Sequence, residues 1–492
     1  MEITIRNGRI RGIAEQGMLA FKGIPFAKPP VGALRFRPPE PCADWDGVLD
    51  ATQYAPRPCQ LPPPWCLDRD TFPYGEDCLN INVWTPAADS GKRPVVFNIF
   101  GGGHMEGSNS ELGREGYHFA DALGDARDIV FVAPNYRLGP FGYLYLGHLL
   151  GEDYAASGSL GQLDLILALL WVRDNIAAFG GDPDNVTIIG QSAGGKSVCN
   201  LLLAPAAKGL FHKVVSMSGA FQSISDMATD IALTRHFLDS LGWGEQQAEK
   251  LLTCPAEVLT KHIDVASQTY FKAESYGPTA DGIALPRDID AYIQAGNLPD
   301  VPLMLGHTRE ELHLPLGADT PDPGDEAVYQ KLVWKFGNNA DHVMAQYRTL
   351  RTQMSYADAF GRIATDYTYV QAYLRAADLL TNAGKPVYLY RWDYTGGYRA
   401  NHSSDNEALF GATNADKQRH NPALTAQVDR TFQELVYSFV TGGAPTAAGV
   451  DNWTPYTRQT PQRLLIDAAC RMEDIDTAQY DKGYDTQTLR LT

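Results

Sequence analysis

From about residue 93 onward, short apolar runs bounded by turn-forming residues alternate with stretches of helical periodicity. Residues 95–99 and 129–132 are dominated by β-branched and aromatic side chains, the signature of strands covered on both faces. Residues 163–179 carry a helical pattern that stops at the turn Gly180-Gly181-Asp182-Pro183. Residues 186–189 read as the next strand, and Gly190-Gln191-Ser192-Ala193-Gly194 leads from it into another helix. Further strands are predicted at 214–217, 303–305 and 387–390. Asn421-Pro422 opens a helix whose Leu424, Val428, Leu435 and Phe439 share a face. Such alternation predicts an α/β fold, a large mostly parallel sheet with helices on both faces. Residues of about 225–300 and 312–385 show helical patterns without clear strands. They are read as cap-like insertions above the sheet within one domain spanning 1–492. The N-terminal segment alternates from Ile3 to Ile5 like a strand, and Leu61-Pro62-Pro63-Pro64-Trp65 reads as a loop.

Composition narrows the class of partner. The chain has 492 residues, 44% apolar and 20% charged, which excludes disordered and fibrous proteins. A formal net charge of −17 opposes binding to nucleic acid or anionic membranes. The longest uninterrupted apolar run, residues 165–172, is too short to span a bilayer. No signal-peptide pattern is present, so no membrane anchor and a cytoplasmic location are expected. Seven cysteines without a CxxC pair indicate neither a metal site nor a complete disulfide framework, and no cofactor is implied.

The chemistry concentrates at G-x-S-x-G. A nucleophile on a tight strand-to-helix turn needs small residues two positions to either side, and the helix behind it offers its N-terminus to a developing oxyanion. Serine needs a base, and the base needs a carboxylate to fix its tautomer. Downstream, Glu310 and Glu311 follow the strand at 303–305, and His402 follows the strand at 387–390. His307 and His313 are rivals for the base, though they flank the acid closely. Spacing does not separate Glu310 from Glu311. Phe100-Gly101-Gly102-Gly103-His104, after the strand at 95–99, supplies bare backbone where oxyanion donors belong; a P-loop is excluded because no Lys-Ser/Thr follows.

Long motifs in the right order then resemble the type-B carboxylesterase/cholinesterase family of α/β-hydrolases. They include residues 21–32 (FKGIPFAKPPVG), 75–86 (GEDCLNINVWTP), 135–139 (NYRLG), 179–183 (FGGDP) and 277–282 (GPTADG). The resemblance implies an α/β-hydrolase fold with Ser192 as nucleophile, Glu311 as acid and His402 as base. It implies oxyanion donors at Gly102, Gly103 and Ala193, a supporting Ser218 behind the triad, and a disulfide between Cys59 and Cys78. Two departures stand out. Gln191 occupies the position before the nucleophile where the family usually has Glu, and His104 follows the triple glycine where an aromatic is usual. His104 and Tyr394 are expected substrate contacts, with Phe271, Tyr276 and Trp65 as further candidate wall aromatics.

The implied activity is a serine carboxylic-ester hydrolase acting through an acyl-enzyme on small to medium neutral esters. A hydrolase for carbamates, amides or lactones is the alternative within enzymes. A non-catalytic binding protein on the same scaffold is the alternative outside them, disfavoured because serine, carboxylate, histidine and glycine loop are all present. The oligomeric state is left open.

Overall fold

The computed structural model describes residues 1–61, 71–111, 114, 116–122, 128–263, 276–312, 321–336, 340–396, 399–411 and 421–477. Trp65, Cys66, Phe271 and His313 lie outside them. Eleven strands form the main sheet. In chain order they are β1 (Ile13–Glu15), β2 (Met18–Pro25), β3 (Asn80–Thr85), β4 (Arg93–Ile99), β5 (Val130–Pro134), β6 (Gly181–Gln191), β7 (Lys213–Met217), β8 (Leu303–Thr308), β9 (Val387–Trp392), β10 (Gln462–Ile466) and β11 (Arg471–Asp474). They lie side by side as β11-β10-β9-β8-β7-β6-β4-β5-β3-β2-β1. The stretch from β5 to β10 is parallel, and antiparallel pairs close both edges. A three-stranded sheet of Glu2–Ile5, Gly8–Arg11 and Val48–Asp50 holds the N-terminus apart from it.

Strand alternation divides the core in two. Along β4, Val95, Phe97 and Ile99 enter one apolar cluster while Val96 enters the other. The first cluster takes Leu165, Leu169 and Val172 of α1 (Leu160–Asn175), Val198 and Leu202 of α2 (Ala193–Leu203), and Leu380 of α3 (Gln371–Asn382). After the short α4 (Ser404–Leu409), the second is covered by α5 (Pro422–Gly442) through Val428, Phe432, Leu435 and Phe439. Each such side chain contributes about 1.5–3 kcal/mol by burial. The Asn421 side chain caps α5 by accepting from the Leu424 amide at 3.1 Å. The stretch Glu152–Phe179 has the length and apolarity to cross a bilayer, yet 78% of its apolar 18-residue window is buried within the fold. It is a core helix.

One expectation needs correction at this level. Gly180 does end the helical stretch in a left-handed conformation, φ +79°, but Gly181 already pairs with Arg93. The predicted turn at Asp182-Pro183 is instead an irregularity inside β6, where the register shifts between Gly181 and Val186. The segment between β7 and β8 carries the helices Met227–Ser240, Ala256–Thr260 and Ile289–Gln294. The segment between β8 and β9 carries Asp325–Phe336, Ala340–Arg351 and Tyr356–Thr365 before α3, and these build a small core of their own from Leu332, Val343, Tyr347, Ile363 and others.

Candidate active site

Ser192 stands between the end of β6 and the start of α2 at φ +59°, ψ −124°, a backbone region costly for any residue with a Cβ. The flanking glycines make that turn possible. A Cβ on Gly194 would lie 2.0 Å from the Ile99 carbonyl oxygen, and one on Gly190 would lie 2.4 Å from the Gly194 carbonyl carbon. The chain therefore folds back on itself at a distance only glycine allows. The Ser192 amide donates to the Met217 carbonyl at 2.9 Å, tying the turn to β7.

Ser192 Oγ lies 2.8 Å from His402 Nε2. His402 Nδ1 donates to Glu311 Oε2 in a short contact. Because a carboxylate only accepts, Nδ1 carries the proton of the neutral ring, and Nε2 presents a lone pair to the serine hydroxyl. Glu311 is 3% exposed and is held at its other oxygen by the Ser218 hydroxyl at 2.6 Å and the Thr308 amide at 2.7 Å. Burial alone raises its pKa, but the neighbouring His402 and these hydrogen bonds outweigh that and hold it below the ordinary carboxylate value. It remains an anion facing the imidazole.

The alternatives left by spacing resolve on geometry. Glu310 pairs instead with Arg309 at 3.2 Å and Arg399 at 3.1 Å. His307 is buried under Tyr373, its Nδ1 donating to the Thr308 carbonyl at 2.8 Å and its Nε2 facing Arg463 at 3.3 Å. Burial, reinforced by Arg463, drives its pKa down to about 3. It stays neutral and makes no contact with Ser192.

The glycine loop packs against the elbow. A Cβ on Gly101 would sit 2.7 Å from the Gln191 carbonyl oxygen and 3.1 Å from Ser192 Cβ. Gly102 and Gly103 take φ +101° and +62°, and a Cβ on Gly102 would strike the Glu106 carbonyl oxygen at 2.2 Å. Among the described residues the N–H groups of Gly102, Gly103 and Ala193 have no hydrogen-bond acceptor. Gln191, 5% exposed, places Nε2 at 3.2 Å from His402 Nε2. It also lines a polar recess with Asn98, Asn109 and Asn406.

Four expectations are corrected. His104 does not open onto the oxyanion loop. It is fully buried, with Nδ1 donating to the Tyr276 carbonyl at 3.2 Å, Nε2 accepting from the Ser197 hydroxyl at 3.1 Å, and its ring against Tyr143. Burial, then the Lys196 charge, drives its pKa down to about 3. With both nitrogens engaged it is a core group. Tyr394 is likewise 6% exposed on the α5 side of the sheet, its hydroxyl 2.9 Å from that of Thr425. Tyr276 belongs to the core as well. Cys59 and Cys78 stand as separate thiols rather than a disulfide. Both are buried and close enough to interact electrostatically, and burial lifts both thiol pKa values, Cys59 to about 12, so both stay protonated.

The sequence reading passed over one residue beside the catalytic pair. Tyr369, 4% exposed, sets its ring 5.4 Å from that of His402. Nothing local distinguishes it among 24 tyrosines; only its place on an irregular helical turn marks it.

A family model described as the carboxylesterase family matches residues 1–484. The para-nitrobenzyl esterase of Bacillus subtilis is 35% identical over 490 residues, covering 96% of each chain. The phenmedipham hydrolase of Pseudarthrobacter oxydans is 30% identical over 484 residues, covering 93% of each. The crystal structure of a Geobacillus stearothermophilus carboxylesterase superposes with a TM-score of 0.86 at 34% identity, covering 98% of this chain and 100% of that one.

Proposed function

The chain belongs to the carboxylesterase family and is a serine carboxylic-ester hydrolase, and from that premise we propose that Ser192, His402 and Glu311 carry the reaction. The observation that supports this most directly is the 2.8 Å contact between Ser192 Oγ and a His402 Nε2 whose other nitrogen is held by buried Glu311. His402 takes the Ser192 proton as Oγ bonds to the ester carbon. The carbonyl oxygen gains charge and is received by the N–H groups of Gly102, Gly103 and Ala193, the last at the first turn of α2. The protonated His402 returns its proton to the departing alcohol. Water then repeats the sequence on the acyl-enzyme and frees the acid.

The substrates we propose are small to medium neutral esters cleaved beneath a cap built from residues of about 225–300 and 312–385. The relative named a para-nitrobenzyl esterase supports this reading, as does the uncharged Gln191 amide at the elbow. Ser192→Ala should lower turnover of p-nitrophenyl esters by at least about 10⁴-fold with an unchanged melting temperature. Mass spectrometry after fluorophosphonate treatment should place one adduct on Ser192; an adduct elsewhere sinks the assignment. Because one relative is named for hydrolysing phenmedipham, that compound belongs in the substrate panel.

A further inference from the structure

Beyond the ends of β8 and β9, Glu311 and His402 are carried on two loops whose backbones stay in parallel register. The last strand pair is Thr308 with Trp392, and the Arg309 amide donates to the Trp392 carbonyl at 2.9 Å. The chain then leaves β9. On its return the Glu310 amide donates to the Ala400 carbonyl, again at 2.9 Å, and Glu310 forms an isolated parallel bridge with Asn401. Glu311 and His402 each stand one residue beyond that bridge. It therefore sets the register in which carboxylate and imidazole meet.

A single bridge leaves two loops free to pivot about it, and side chains restrain the pivot. Glu310 Oε2 accepts from Arg399 Nη1 at 3.1 Å, and its Oε1 accepts from Arg309 Nη2 at 3.2 Å, so one carboxylate spans both loops. Arg399 Nη2 donates to Asp358 Oδ1 at 3.1 Å, in the first turn of the helix Tyr356–Thr365. Arg309 also lies 3.9 Å from Asp393. The charges thus alternate along one line: Asp393, Arg309, Glu310, Arg399, Asp358. On the other side of the base, Asn401 Oδ1 accepts from the Ser404 hydroxyl at 2.7 Å, and Ser403 is held at φ +72°. A residue with a Cβ is strained there, so the loop that bears His402 keeps its shape only while it is held at both ends.

We propose that Glu310 and Arg399 are positioning residues whose ion pair locks the acid loop to the base loop and so holds His402 on Glu311 and Ser192. The inference rests on Glu311 and His402 being the acid and the base. Adjacent residues in extended backbone face opposite ways, which lets two consecutive glutamates divide the labour. Glu311 turns inward to the imidazole, and Glu310 turns outward to the arginines. The Glu310 side chain is 26% exposed and that of Arg399 39%, and pairs so wetted add little to folding stability. Their effect falls on geometry instead, where a displacement of about 1 Å at a reacting centre costs on the order of 10²-fold in rate.

The test uses Glu310→Gln, which keeps the shape and removes the charge, and Arg399→Gln. With a p-nitrophenyl ester, kcat should fall about tenfold in each while KM stays within about twofold, because the lesion misplaces the base rather than the pocket. Melting temperatures should stay within about 2 °C of wild type. The double variant should lose no more than either single one, since a pair that acts as a unit is lost only once. Arg399→Lys, which keeps a cation beside Glu310, should hold kcat within about threefold of wild type. Wild-type kcat in both Gln variants, additive losses in the double variant, or a raised KM at unchanged kcat overturns the proposal. His402→Ala separates the clamp from the assignment beneath it. Near-complete loss of turnover there, with wild-type kcat in the Gln variants, refutes the clamp alone, whereas turnover that survives His402→Ala refutes the assignment of the base.

Discussion

The Gln191 amide directs Nε2 at the same nitrogen lone pair that receives the Ser192 proton. The amide brings no charge to that face of the imidazole. A carboxylate in its place has no proton to donate and would favour imidazolium instead, because an opposite charge stabilises the charged form. Gln191→Glu should accordingly move the acid limb of kcat/KM upward, since that limb reports the essential base of the free enzyme. A limb unmoved or shifted downward, measured on one neutral ester, rejects the electrostatic role. At this scale the sequence was informative where chemistry imposes a motif. Its glycines single out Ser192, and its place after a strand singles out His402, as the residues proposed for catalysis. His104 and Tyr394 misled because a polar or aromatic side chain beside a motif looks the same whether it faces substrate or core. Burial decided between those readings, and burial depends on residues far away in the chain, Tyr276 and Thr425 among them.

Among elements, the elbow and the end of β4 meet at a distance set by Gly194. Replacing it by alanine forces a methyl against the Ile99 carbonyl oxygen, which belongs to the strand that launches the oxyanion loop. The two halves of the site must then separate, and a shift of about 1 Å at a reacting centre costs on the order of 10²-fold in rate. Gly194→Ala should show that loss in kcat together with a weaker rate of phosphonate labelling; wild-type rates of both would show the close approach to be dispensable. Element reading from the sequence succeeded for β4 through β9, whose runs are apolar and short. It missed β2 and β3. In β3 the buried Asn80 and Asn82 interrupt the apolar pattern. Asn82 accepts from the Gly23 amide at 2.7 Å and donates to the Asn109 carbonyl at 2.9 Å, near the irregularity between Phe21 and Ile24 in the β2 pairing. Its polarity serves loops that no local pattern reveals.

Across the whole molecule, the buried neutral histidines govern acid stability. His104 and His307 hold pKa values of about 3 in the fold, against about 6.5 in an unfolded chain. Below pH 6.5 the unfolded chain binds protons that the native state refuses, so stability is full above that pH and falls as pH drops toward 3. Each histidine contributes about 1.4 kcal/mol of loss per pH unit across that window. Asp405 opposes them: burial, with the Glu311 charge, raises its pKa to about 6, so its contribution falls as pH rises from about 4 to 6. Asp281 and Asp366 act in the same sense as Asp405, and His148 and His212 in the sense of the two buried histidines; with the larger shifts on His104 and His307, the melting temperature should decline from pH 6.5 to 4.5. His104→Phe should melt lower at pH 7, having lost two hydrogen bonds, but with a shallower decline; parallel curves would exclude His104 as the acid-sensitive group. The distance along the chain between the catalytic partners has a consequence of another kind. Ser192 and His402 are 210 positions apart. At about 5–20 residues per second of synthesis, roughly 10–40 s separate their emergence from the ribosome. On the proposed assignment the serine has no base throughout that interval, so a nascent chain stalled before residue 402 should be inert toward esters and toward fluorophosphonates alike.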